Sequence, residues 1–393
     1  MIKEFNIRDE DILLLGLCRL EFNPEMKVMV RTLAEGEVDW QYFASLANSH
    51  GVAALVYHNL EKLQFLNIIP EETVLFLRGA LMKSLGRNAF NTEAMGEVLR
   101  LLNKENIKTV LLKGFALELA VYGNAGLRQM TDVDILIRRE QCMHARKILI
   151  DNGYESLPVK SFFHKLIMAD IGKHLPSLIK QGTSVEIHHE LFGAGTNVLT
   201  RMLYDSSYEV EIKGEKAYIS RPQIFFLYLV KHLYLHEMNN ESQLRLYTDL
   251  VVLITRHYDE IINYDLLTYA AQADMSEILA WRLEPIRDLW GVTFPEWIND
   301  FIDKWYDPDS INKFIFFLKS PKDNPPLDKA KFYRHAFRDV PGIHRKFLFL
   351  LGDLFPSISF MKNRYKCSGK LKVLFYYPHR IGKVLWLIGK DKR

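Results

Sequence analysis

The stretch "LRQMTDVDILI", residues 127–137, decides how the chain is read. Val133, Ile135, Leu136 and Ile137 make it a strand-like apolar run, yet it carries Asp132 and Asp134 one residue apart. Residues two apart on a strand project to the same face, so the carboxylates stand side by side at roughly 6–7 Å along the chain. Like charges that close repel, and something must compensate: a shared proton, a basic neighbour or a divalent cation.

The flanking sequence supplies a setting. Upstream, "IKTVLLKG" (107–114) is a short β-branched run ending at Gly114, and "FALELAVYG" (115–123) is a helical stretch that stops at Gly123. The implied unit is strand, tight turn, helix, and the free N–H groups at such a turn can receive a phosphate. Downstream, "DVDILIRRE" (132–140) reads as a second strand, "QCMHARKILIDNGY" (141–154) as a helix with its glycine just past the end, and "TSVEIHHELF" (183–192) as a third strand. Glu186, in mid-strand between Val185 and Ile187, is the natural third carboxylate. Three carboxylates on neighbouring strands make a cage for a hard cation, and Mg²⁺ is usually held by a few carboxylates plus substrate phosphates. That chemistry points to phosphoryl or nucleotidyl transfer. His188 shares a strand face with Glu186, and His174 lies just before that strand, so both are candidates for substrate contact.

Bulk properties bound the answer. A chain of 393 residues with 48% hydrophobic and 25% charged residues is an ordinary globular composition, long enough for two or three domains. A formal net charge of +3 gives no whole-protein field that argues for nucleic acid. Charge is concentrated at the end: from Lys362 to Arg393 there are ten Lys or Arg against one acid, Asp391. Solvated charge is the default reading of that tail. Cys18, Cys142 and Cys367 are far apart and form no CxxC, which argues against a disulfide framework or a cysteine zinc site and fits a reducing, cytoplasmic home. The N-terminus has no secretory pattern, and no run of ~18 apolar residues suggests a transmembrane segment. "KVLFYYPHRIGKVLWLIGK" (372–390), interrupted by Pro378, His379, Arg380 and Lys383, reads as a packed, partly basic terminal segment in preference to an interfacial membrane helix.

Taken together, "LLKGFALELAVYGNAGLRQMTDVDILI" (111–137) and "VEIHHELF" (185–192) resemble the nucleotidyltransferases of the DNA polymerase beta superfamily. More closely they resemble an uncharacterised bacterial nucleotidyltransferase-like family found in biosynthetic gene clusters, with its Lys-Gly turn, an Arg before the Asp-x-Asp and a Glu-x-His strand. "LANSHGVAALVYHNL" (46–60) and "KHLYLHEMNNESQLRLYTDL" (231–250) extend the resemblance over most of residues 40–255. The resemblance implies that Asp132 and Asp134 bind two Mg²⁺ ions. It implies that Glu186 completes the metal site or deprotonates the acceptor hydroxyl, and that Gly114 turns the chain against the triphosphate. His232, Arg245 and Asp249 become pocket-lining candidates for the nucleotide, with an Arg245–Asp249 pair bracing helices at i, i+4 as the structural alternative. One departure is that Phe115 follows Gly114 where the superfamily has Gly or Ser; Lys113 or Arg128 would supply the missing positive charge.

The expected fold class is therefore α+β: a small mixed β-sheet nucleotidyltransferase core of the polymerase-beta type (96–220), embedded between an N-terminal helical region (1–95) and a C-terminal helical region with a basic tail (221–393). The expected function is Mg²⁺-dependent transfer of an NMP group from an NTP to a hydroxyl or phosphate on a small molecule or peptide, with nucleic acid not expected as a partner. The alternative is a catalytically inactive relative that binds or assembles. A phosphotransferase would instead release NDP.

Overall fold

The computed structural model describes residues 7–193, 198–239, 243–307, 309–319, 333–334, 337–367 and 370–389. Seven strands form one mixed sheet: β1 (Val110–Leu111), β2 (Val133–Leu136), β3 (Glu155–Ser156), β4 (Leu178–Lys180), β5 (Thr183–His188), β6 (Ser207–Ile212) and β7 (Glu215–Ser220). Their order is β3-β4-β5-β2-β1-β7-β6, which puts the acidic strand β2 in the middle. All four of its residues are buried. Such a position selects an apolar, β-branched sequence and makes the one carboxylate inside it, Asp134, costly unless paired. β1 runs antiparallel to β2, with Leu111 opposite Ile135, and β5 runs parallel to it, with Asp134 opposite Glu186 and Leu136 opposite His188.

The sheet is larger than the three strands expected. β3 and β4 are two and three residues long and carry too little pattern to announce themselves. β6 and β7 are a hairpin closed by Lys213 (φ 54°) and Gly214 (φ 76°), a two-residue turn whose positive dihedrals match the twist of the flanking strands.

The helix Glu71–Asn103 is the longest element, and it runs unbroken through position 95. No break in the chain separates the N-terminal helices from the sheet there. Its buried stripe is Leu77, Leu81, Ser84, Asn88, Asn91, Met95, Leu99 and Leu102, the three- and four-residue spacing of one helix face. Polar residues in that stripe need partners, and the loop leading into β2 supplies them. Asn88 Nδ2 donates to the Arg128 carbonyl at 2.7 Å and also to the Ala125 carbonyl, while its Oδ1 accepts from Met130 N at 3.2 Å. Asn91 accepts from Thr183 Oγ1 at 3.3 Å, which ties the same helix to β5.

The two helical regions also meet each other. Asn23 and Asp39 cap the helices Pro24–Ala34 and Trp40–Ser49 through bonds to Met26 N and Tyr42 N. Beyond the sheet, Pro222–Met238 packs on Leu244–Arg256 and on Ser276–Trp290. The buried ring of His50 joins the two ends of the chain: one nitrogen faces the Leu318 carbonyl at 2.8 Å and the other accepts from Leu244 N at 3.1 Å. One contiguous apolar core extends from Leu13 through the sheet to Leu318. No helix among the described residues is long and apolar enough to cross a membrane, and the three cysteines are free thiols, with Cys18 and Cys142 buried.

Replacing Asn88 by Ala strands the Met130 N–H and two carbonyls in a dry interior. We expect a loss of about 2–3 kcal/mol in urea unfolding; an unchanged midpoint would show that the loop does not depend on this side chain.

Candidate functional site

Asp134 is the centre of the site. Its side chain is 3% exposed, and two groups converge on Oδ1: Lys113 Nζ at 2.6 Å and His188 Nε2 at 2.8 Å. Each partner is positioned by backbone. Leu112 N donates to the Asp134 carbonyl at 3.1 Å, which sets the turn after β1, and Lys113 then adopts a left-handed conformation (φ 45°) that a residue other than Gly, Asn or Asp seldom takes. His188 projects from β5 on the same face as Glu186, two residues earlier, and Ile137 N donates to the His188 carbonyl at 2.9 Å.

The parallel register places Glu186 directly opposite Asp134, and its Oε2 lies 3.5 Å from His188 Nε2 and 3.8 Å from His174 Nε2. Ser177 Oγ donates to Glu186 Oε1 at 3.2 Å. The rings of His174 and His188 are 5.1 Å apart. One ligand atom each from Asp134, Glu186 and His188 falls within 4.8 Å of the others, which is the spacing a single divalent cation requires. Two carboxylate oxygens and an imidazole nitrogen suit Mg²⁺ with waters and phosphate oxygens, and also Mn²⁺ or a later transition metal.

Asp132 stands outside that tight set. β2 begins one residue later, and the Asp132 carboxylate accepts from Thr131 Oγ1 at 2.8 Å. It nonetheless shares the field: burial first, and then the Asp134 charge, push its pKa above the ordinary carboxylate value. For Asp134 burial opposes ionisation, but the Lys113 ammonium and the bond from His188 override it and hold the carboxyl well below its ordinary range. Burial likewise opposes charge on Lys113, and the Asp134 carboxylate with its hydrogen bond, Tyr228 and Asp132 together raise it. Glu186 is half-buried; that burial opposes its charge, and the bond from His188 together with His174 and Lys113 lowers its pKa. Asp134 and Glu186 are thus both held below their ordinary range, which fits a site that takes a further positive charge.

The remaining residues named from sequence take different places. Gly114 has no left-handed dihedral; it is glycine because a Cβ there would meet Met130 Cγ at 2.6 Å and Arg128 Nη1 at 2.9 Å. Arg128 forms a two-pronged bond to Asp249, Nε to Oδ1 at 2.9 Å and Nη2 to Oδ2 at 2.8 Å, and Asp249 also accepts from Tyr122 OH at 3.0 Å. Arg128 and Asp249 thus brace the loop before β2 against the helix Leu244–Arg256. The expected i, i+4 pairing of Arg245 with Asp249 is replaced by this pair: Arg245 instead donates to the Gln129 carbonyl at 2.8 Å and to Gln243 at 3.1 Å. His232 is buried between the Tyr228 ring, 5.9 Å away, and the His236 ring, 4.5 Å away. Burial, then the charges of Lys113, His236 and Lys173, keep it neutral, which places it at the edge of the same field.

Two groups in that field were not picked out from sequence. Lys173, next to His174, feels Lys113 and all three carboxylates, and burial lowers its pKa. Tyr228, 2% exposed, feels Lys113 and Asp134. Nothing local marked them: a lysine in a loop and a tyrosine in an apolar helix have many uses.

The ion pair has a defined pH signature. Asp134, held below the ordinary 3.8, contributes stability that is present above that value and lost as pH falls toward its folded pKa; Lys113, held above 10.5, contributes below that value and loses it only as pH rises further. Lys113→Met should therefore cost about 3–5 kcal/mol at neutral pH, with the deficit shrinking as pH falls below the ordinary carboxylate value toward the folded pKa of Asp134. Urea midpoints across the range check this, and a deficit independent of pH would contradict the assignment.

Residues 36–291, more than half of the chain, match a family model described as uncharacterised nucleotidyltransferase. No curated protein matches. Among solved structures, an antigenic nucleotidyltransferase-like protein from Paracoccidioides brasiliensis is similar at 14% identity and a TM-score of 0.33, over 55% of this chain and 96% of that one.

Proposed function

We propose, from the premise that the chain belongs to this family of uncharacterised nucleotidyltransferases, that it transfers an NMP group from an NTP to a hydroxyl or phosphate on a small molecule or peptide. The core is read as a polymerase-beta-type sheet, and the metal as Mg²⁺, two ions in the working state. The observation that carries the reading is the register of β2 against β5, which sets Asp134 opposite Glu186 with His188 completing a donor set within 4.8 Å. A chance pair of buried carboxylates has no need of that convergence.

Asp134, Glu186 and His188 would hold one cation, and Asp132, beside Asp134 and accepting from Thr131, would join Asp134 in holding a second. Bound there, divalent cations supply Lewis-acid stabilisation of the entering and leaving oxygens and lower the pKa of the acceptor hydroxyl. The chain's own groups do the rest. Lys113 pairs with Asp134 in the structure, and with a cation on that carboxylate its ammonium would be free to pair with a substrate phosphate. Lys173 offers a second ammonium on the same side. Glu186 either completes that donor set or, through Oε2, which lies 3.8 Å from His174 Nε2 and 3.5 Å from His188 Nε2, accepts the acceptor's proton. The acceptor oxygen then bonds to the α-phosphorus, the bond from that phosphorus to the β-phosphate oxygen breaks in line, and pyrophosphate leaves. Arg128 and Asp249 keep the loop carrying Asp132 in place and touch no reacting atom.

Incubation with Mg²⁺ and labelled ATP, GTP, CTP and UTP, with candidate hydroxyl acceptors, should release pyrophosphate. Asp134→Ala should reduce the rate by at least about 10²–10³-fold. Release of NDP would assign a phosphotransferase, and inertness with every nucleotide and acceptor, alongside retained nucleotide binding, would assign a binding role.

A further inference from the structure

We infer that the C-terminal helices form a surface that docks on an anionic lipid bilayer. The helix Lys370–Gly389 is held by one face: Val373 and Val384 are fully buried, Tyr377 OH donates to the Pro356 carbonyl at 2.6 Å, and Arg380 Nε donates to the Asp353 carbonyl at 3.1 Å. The positions half a turn away are Phe375, His379, Gly382 and Trp386, and they point outward. Phe375 is 83% exposed and Trp386 55%, with Leu374 exposed beside them. The neighbouring helix Ile343–Leu354 adds Ile343, 88% exposed, and Phe347.

Charge selects the occupant. Residues 343–389 contain nine Lys or Arg and a single acid, Asp353. That acid is fully buried, where it meets Lys160 and, at 3.6 Å, Arg380 Nη2. The exposed charge of the segment's described residues is therefore wholly positive, and Lys372 lies on the flank of the apolar stripe. Outward aromatic and aliphatic side chains next to cations are what an interfacial helix presents to acidic headgroups and the acyl chains just beneath them. Nucleic acid would satisfy the cations and leave Phe375, Ile343 and Leu374 in water. The helix is not apolar enough to span a membrane, so it lies along one. The inference does not rest on the proposed transfer reaction.

The test is co-sedimentation of the full-length protein with vesicles of phosphatidylcholine alone or with added phosphatidylglycerol. We expect binding only to the anionic vesicles, weakened by salt. Ile343→Glu combined with Phe375→Glu should reduce it at least about tenfold, and Lys372→Glu more modestly. These side chains are exposed, so circular dichroism should be unchanged. Absence of binding to anionic vesicles overturns the inference. So does binding that the double variant leaves intact and a single-stranded oligonucleotide displaces, since that pattern belongs to a nucleic-acid surface.

Discussion

An ionised carboxylate on the central strand of a sheet, closed off from water on all sides, has to be answered by positive charge and by hydrogen bonds, or it loses its proton-free form. Asp134 is in that position, and the surrounding structure is arranged to answer it. Lys113 reaches it only because the chain after β1 turns through a left-handed residue at that point. His188 reaches it only because β5 runs parallel to β2 in the observed register; a slip by one residue would carry both Glu186 and His188 to the opposite face. The asparagines of Glu71–Asn103 and the Arg128–Asp249 brace hold the preceding loop so that β2 enters the sheet at the right residue. What looks like several independent polar contacts is one charge and its supports.

The same arrangement accounts for the lysine that precedes the glycine of this turn. The turn at 113–114 is tight because Met130 and Arg128 press against Gly114, so no larger residue fits there. Lys113 carries the backbone strain instead, and its ammonium repays that by pairing with a group that would otherwise be buried alone.

The chain announced the acidic strand because strand periodicity is local: two carboxylates at spacing two in an apolar run, and another in mid-strand, can be recognised within ten residues. His188 and His174 followed from their nearness to Glu186. The α+β character and the helical flanks were legible in the same way, from spacing. Other features depended on distant partners. Arg128 meets Asp249 from 121 positions away, and the local i, i+4 alternative through Arg245 was the only pairing that spacing could suggest. Asn88 and Asn91 did leave a trace, two amides on a helix face otherwise apolar, which is a polar stripe asking for partners. The β6–β7 hairpin left one too, in Lys213 and Gly214 between alternating runs, whereas β3 and β4 are too short for any pattern to register.

The order of the sheet places β3 and β6 at its two rims, each with one row of backbone groups that no strand pairs with. β3 is only two residues long and solvated. β6 is six, long enough to recruit a foreign strand, but Glu209 and Glu211 project from it into solvent. A second molecule approaching edge to edge would set like charges against one another. That charge on the rim disfavours growth of the sheet by edge-to-edge pairing with a second copy.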